Sequence, residues 1–228
     1  LTAHIDPSPD TCTSLIMDRL LGKRYRAWAV VGAFGDNLNK SAQGLAKNLD
    51  INEVELRKLQ NLGIYMNFNG YGASVEELHF APDELYAVLS QYSSPFDFVS
   101  DNNENFQKLE QGYQQDIEAA QSTIALVATD AIAAFVLPDE PWARRASGVY
   151  SNQLANDNPD RGHAVLTVKP NGHYLVSVRA PLNNKKGAAA LCMHFPTGGG
   201  REAAAGINDL PADMLANFLD KFKQAFSA

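Results

Sequence analysis

The hydrophobic period changes part-way along this 228-residue chain, and that change limits the folds open to it. Up to about residue 124, apolar residues recur at helical spacing, as in Leu15, Ile16, Leu20 and Leu21 or Phe106, Leu109, Tyr113 and Ile117. From about Ala125, short β-rich runs alternate with helical stretches. Ala164–Val168 and Tyr174–Arg179 flank Pro170-Asn171-Gly172, a strong hairpin signal. The chain is therefore expected to be α/β: a mainly helical part over 1–124, then a small α/β domain with a mixed sheet over 125–228.

Within the first part, 11–21, 41–49, 52–62, 81–92 and 105–123 read as helices. Residues 63–72, rich in Asn, Gly and Tyr, read as a loop. Asp10 or Thr11 is placed to cap the first helix. The run Tyr25–Phe34 is too short and too uniformly apolar for periodicity to separate a buried strand from a buried helix. In the second part, 131–137 reads as a strand, 141–154, 186–194 and 211–226 as helices, and 197–200 as a glycine loop.

Composition narrows the function classes. At 45% hydrophobic and 20% charged the chain is an ordinary globular sequence. Its apolar runs are too short to span a bilayer, so no membrane partner is expected. A formal net charge of −7 disfavours non-specific duplex binding, which needs many cations, yet allows a local basic site. Cys12 and Cys192 lack the spacing of a zinc site and read as free thiols of a reducing cytoplasm.

The sharpest local signal is Phe195–Ile207, FPTGGGREAAAGI. Gly198, Gly199 and Gly200 permit positive φ and close approach of a ligand to the backbone, and their amides could form an anion nest. Arg201 follows and could offer a bidentate fork to a phosphate oxygen. A glycine triplet by itself also suits a flexible surface loop. Strand alternation in VSVRAP puts Ser177 and Arg179 on one face and Val176 and Val178 on the other. Arg179 is then either a phosphate ligand or an exposed strand-end charge. Asp36 closes AWAVVGAFGDN, where a carboxylate could hold a divalent cation or merely end a turn. The cluster HIDPSPD, with His4, Asp6 and Asp10, has metal-ligand residue types on an extended, proline-stiffened lead-in. There is no GxxxxGK[ST] loop and no GxSxG elbow. A pyrophosphate loop of acyltransferase type is met only in part at Arg145–Tyr150.

The stretch SGVYSNQLAN…HAVLTV…YLVSVRAP…GAAALCMHFPTGGGREAAAGI resembles the substrate-binding domain that accompanies DHH-family phosphoesterases. TCTSLIMDRLLG…AWAVVGAFGDN with LGIYMNFNGYG resembles the latter half of their catalytic domain. The family includes RecJ-type exonucleases, small-oligonucleotide nucleases, cyclic-dinucleotide phosphodiesterases and exopolyphosphatase-like proteins.

The resemblance implies a hydrolase using two divalent ions, typically manganese, with Asp36 as a metal ligand. Ser177, Arg179, Gly198, Gly199, Gly200 and Arg201 would bind substrate phosphate. The implied partner is a short oligonucleotide, a nucleotide or polyphosphate, and a homodimer is left open. Two departures stand out. No DHH triplet occurs, so the chain is expected to start just past it and to be inactive alone. Arg201 occupies the place of the histidine that commonly ends the family's GGGH loop. A non-catalytic phosphate-binding module is the alternative.

Overall fold

In the computed structural model, residues 3–100 and 103–226 are described. The chain divides into two compact units, Leu1–Gln114 and Gln115–Ala228. The division falls inside a helix rather than at 124/125; Phe106 and Leu109 of its apolar stripe are buried in the first core. Tyr113 packs on the first core, while Asp116 bonds within the second.

The first unit is helical. It contains α1 (Thr13–Leu20), α2 (Arg26–Gly35), α3 (Asn39–Ala46), α4 (Glu53–Phe68), α5 (Pro82–Leu89), α6 (Pro95–Phe98) and the first part of α7 (Glu104–Gln121). The ambiguous run at 25–34 is thus a helix. Its residues Val30, Val31, Ala33 and Phe34 are buried among Leu59, Leu62, Phe98 and Leu109. Nor is 63–72 simply a loop, since α4 continues through Phe68. Gly63 is in that helix because α2 crosses it closely; a Cβ there would lie 2.3 Å from the Val31 carbonyl oxygen. The start of α4 is fixed by a capping box in which Asn52 and Glu55 each accept the other's backbone N–H. By contrast α1 has Cys12 at its N-cap with no side-chain cap bond, so neither Asp10 nor Thr11 caps it.

The second unit holds β1 (Ala125–Ala128), β2 (Ile132–Leu137), α8 (Pro141–Asp157), β3 (Gly162–Val168), β4 (Tyr174–Arg179), α9 (Ala188–Cys192), β5 (Gly198–Arg201), β6 (Ala204–Leu210) and α10 (Leu215–Phe226). The strands form one sheet in the order β1-β2-β3-β4-β6-β5. Only β2 and β3 are parallel, joined through α8; the other pairs are antiparallel. The fold class is α/β with a mixed sheet.

Side-chain alternation divides this sheet into two faces. On one, Ile132, Ala134, Ala164, Leu166, Val176, Val178, Ala205 and Ile207 pack with α9 and with Phe218 and Phe222 of α10. The other carries Phe135, His163, Val165, Ser177 and Arg179. There α8 lies over β3 and β4, with Tyr150 edge-on to Phe135 at 5.5 Å between ring centroids. A bidentate ion pair ties α8 to the end of α7: Arg145 Nε donates to Asp116 Oδ2 at 2.6 Å and a second N–H to Oδ1 at 2.9 Å. Arg145–Tyr150 therefore lies within a helix, not a pyrophosphate loop.

Candidate phosphate-binding shelf

The glycine run is a strand, not a loop. Each residue of Gly198–Arg201 is paired with β6: Gly198 with Ile207, Gly199 with Gly206, Gly200 with Ala205, Arg201 with Ala204. The Gly198 N–H is used within the turn, donating to the Phe195 carbonyl at 2.9 Å. The expected nest of three free glycine amides is thereby replaced by an edge strand.

The three glycines differ in why they must be glycine. A Cβ at Gly198 would sit 1.8 Å from the Cys192 carbonyl oxygen, so α9 rests directly on its backbone. Gly200 has φ +142°, a conformation L side chains rarely adopt. Gly199 meets neither constraint: a Cβ there would touch nothing within 4 Å. Its bare position faces open space on the α8 side of the sheet.

That open space is where the expected residues gather. In antiparallel pairing, directly opposed residues share a face. Arg179 of β4 is opposite Ala204 of β6, which is opposite Arg201 of β5. Ser177, Gly206 and Gly199 form the adjacent row in the same way. Both arginines thus emerge on one face, two strand spacings apart, roughly 10 Å between backbones. Glycine, alanine and a serine hydroxyl form the floor between them. Burial, and secondarily the charge of Arg201, push the Arg179 guanidinium below its ordinary value, though an arginine stays protonated in the working range.

No carboxylate among the described residues pairs with Arg179 or Arg201. Glu202, next in sequence, instead accepts the Gly187 N–H at the start of α9. Arg179 is held by neutral groups: its Nε donates to Asn152 Oδ1 at 2.8 Å and an Nη donates to the Val178 carbonyl at 3.2 Å.

The residues expected to hold metal do not come together. Asp36 is exposed at the C-terminal end of α2, its N–H donating to the Gly32 carbonyl at 3.0 Å. Asp6 pairs with Arg19 at 2.9 Å, which holds its carboxyl below the usual range, and accepts the Ser8 N–H. Among the described residues no group of three or more His, Cys, Asp or Glu side chains could hold a metal ion. This donor set does not fit a two-metal centre.

Two polar residues beside the shelf were not legible as such in the sequence. Asn152 is an ordinary position of an amphipathic helix. His163 lies opposite Arg179 across β3 and β4, 1% exposed, with neither ring nitrogen hydrogen-bonded. Burial, with the charge of Arg161 second, lowers its pKa to about 4. At the far end of the sheet Asp209 accepts from Lys169 and bonds His173 Nδ1 at 2.8 Å, and these partners bring its carboxyl down to about 2.

No family model matches the chain, and no curated protein does. Solved structures do match it. The DHH domain of a member of a family of ribosomal proteins superposes with a TM-score of 0.54 at 14% identity. That match covers 90% of this chain and 50% of the other. The fold is that of the DHH-domain proteins. This chain spans half the length of that DHH structure. Two further DHH-type likenesses are weaker. A pGpG-specific phosphodiesterase, PggH from Vibrio cholerae, gives a TM-score of 0.49 at 10% identity, covering 83% of this chain and 71% of that one. CDC45 from Entamoeba histolytica gives 0.44 at 9% identity, covering 89% and 53%. No helix among the described residues is long and apolar enough to cross a membrane.

Proposed function

We propose that this chain is the phosphate-gripping portion of a metal-dependent phosphoesterase acting on short oligonucleotides, nucleotides or polyphosphate. One observation carries the reading: two arginines without carboxylate partners among the described residues stand on one sheet face, at either side of a floor kept bare by Gly199. In a chain of net charge −7, cations left unpaired beside one another repel and gain from an anion between them. Guanidinium forks bind phosphate oxygens bidentately, and the Ser177 hydroxyl adds a donor that needs no charge. Such a grip contributes by positioning the ester and by stabilising charge on phosphorus-bound oxygen. The DHH fold agrees with this use.

Chemistry at phosphorus needs more than the shelf. Water activation by manganese requires several ligands, and of these the reading assigns only Asp36 to this chain. The isolation of Asp36 favours a second reading, a module that binds phosphate without hydrolysing it.

The deciding experiment is turnover of a panel of short oligonucleotides, cyclic and linear dinucleotides and polyphosphate, with manganese, by this chain and by the intact gene product. The intact protein is expected to hydrolyse at least one, and the chain alone none. Arg201→Ala should cost about 1.5–3 kcal/mol of phosphate binding, the range for a charged hydrogen bond, with an unchanged melting temperature. Asp36→Asn should remove most turnover. Unaltered binding in both Arg179→Ala and Arg201→Ala would overturn the proposal; binding without turnover in the intact protein would establish the second reading.

A further inference from the structure

We infer that Asn152 of α8 is a further member of the phosphate-binding shelf, a positioning residue that sets the Arg179 guanidinium and adds a neutral donor beside it; this rests on the reading of the shelf given above. The argument begins with the one hydrogen on Arg179 Nε. That atom can only donate, so the Asn152 atom facing it at 2.8 Å is the carbonyl oxygen. The amide orientation is therefore fixed by chemistry rather than by assignment. Its NH₂ group points away from Nε, and the Asn152 side chain makes no other hydrogen bond among the described residues. Asn152 is exposed, so those two N–H donors are open to solvent on the face where both arginines emerge.

Holding Nε and one Nη from behind leaves the remaining guanidinium N–H groups available. A long flexible side chain loses less freedom on binding when its rotamer is already fixed. An aspartate at 152 would fix it too, but would neutralise the charge that the anion needs. A neutral acceptor orients the arginine and preserves its field. Asparagine is also a weaker helix former than alanine, so folding alone does not ask for it at an exposed helical position.

The test is calorimetric titration of the whole chain with inorganic pyrophosphate at several salt concentrations, together with melting temperatures. Asn152→Ala is expected to weaken binding about five- to tenfold. Its salt dependence should match the parent's, because no charge is lost, and its melting temperature should be equal or higher. Arg179→Ala should weaken binding more and flatten the salt dependence. Asn152→Asp, which keeps the acceptor, should bind less well than Asn152→Ala. Parent-like affinity in Asn152→Ala while Arg179→Ala is impaired would overturn the inference and leave the shelf standing. An Arg179→Ala that binds like the parent would remove the shelf, and the inference with it.

Discussion

Gly198, Gly199 and Gly200 show how one residue type repeated three times can answer three separate demands. Contact with α9 requires the first and backbone conformation the third; only the second is free of the fold. Gly200→Ala is expected to destabilise the second unit by at least about 1–2 kcal/mol, through strain at its positive φ and collision with the Ala205 backbone, and Gly198→Ala by more, through the closer collision with Cys192. Gly199→Val should fold like the parent, because valine suits a strand and meets no neighbour, yet should obstruct phosphate. Chemical denaturation and pyrophosphate titration of the three variants separate these effects. Equal loss of stability at all three positions would contradict the assignment. The sequence leaves positive φ open to all three glycines; the structure puts that conformation at Gly200 alone among them. Spacing reveals that a glycine is needed, but which atom crowds it depends on α9 and β6, which are remote in sequence.

At the scale of elements, β3 and α8 enclose an ionisable side chain whose ring nitrogens are buried without a hydrogen bond among the described residues. His163 is nearly sealed and its pKa is lowered to about 4 from an ordinary 6.5. The unfolded chain therefore gains a proton near pH 6.5 that the folded chain declines until about pH 4. Stability is full above 6.5 and falls between 6.5 and 4, by up to about 3 kcal/mol. His163→Leu should abolish that slope, read as the change in urea midpoint between pH 7.5 and 4.5. Asp209 does not interfere, because its loss of stability is confined to pH below its ordinary 3.8. A slope unchanged in His163→Leu would show that other groups cause it. The helices and strands themselves were largely legible, because period and punctuation report them directly. Among those misread were Gly63–Phe68 and Gly198–Arg201, where glycine suggested loops. In both, glycine admits a close neighbour instead, and a neighbour has no signature in local sequence.

Over the whole molecule, what the sequence conveyed best was residue placement on a face, and least well was ligand convergence. Period-two alternation by itself puts Ser177 and Arg179 together. That Arg201 joins them depends on β6 lying between β4 and β5, a strand order no motif encodes. The metal expectation for Asp36 came from its place at the end of an apolar run and from the family resemblance, and the described residues hold no group of three or more His, Cys, Asp or Glu side chains that could bind a metal ion.

The close seat of β5 on α9 also gives the protein a built-in clock. Cys192 is fully buried and its thiol is pushed up to about 11, whereas Cys12 is half-exposed near Ser14. Thiolate is the reactive form, so a thiol reagent should modify Cys12 promptly and reach Cys192 only in molecules whose sheet has momentarily parted from α9. In a Cys12→Ser background the labelling rate would count those openings one by one. Equal rates at the two thiols would mean that the seat is looser than its contacts imply.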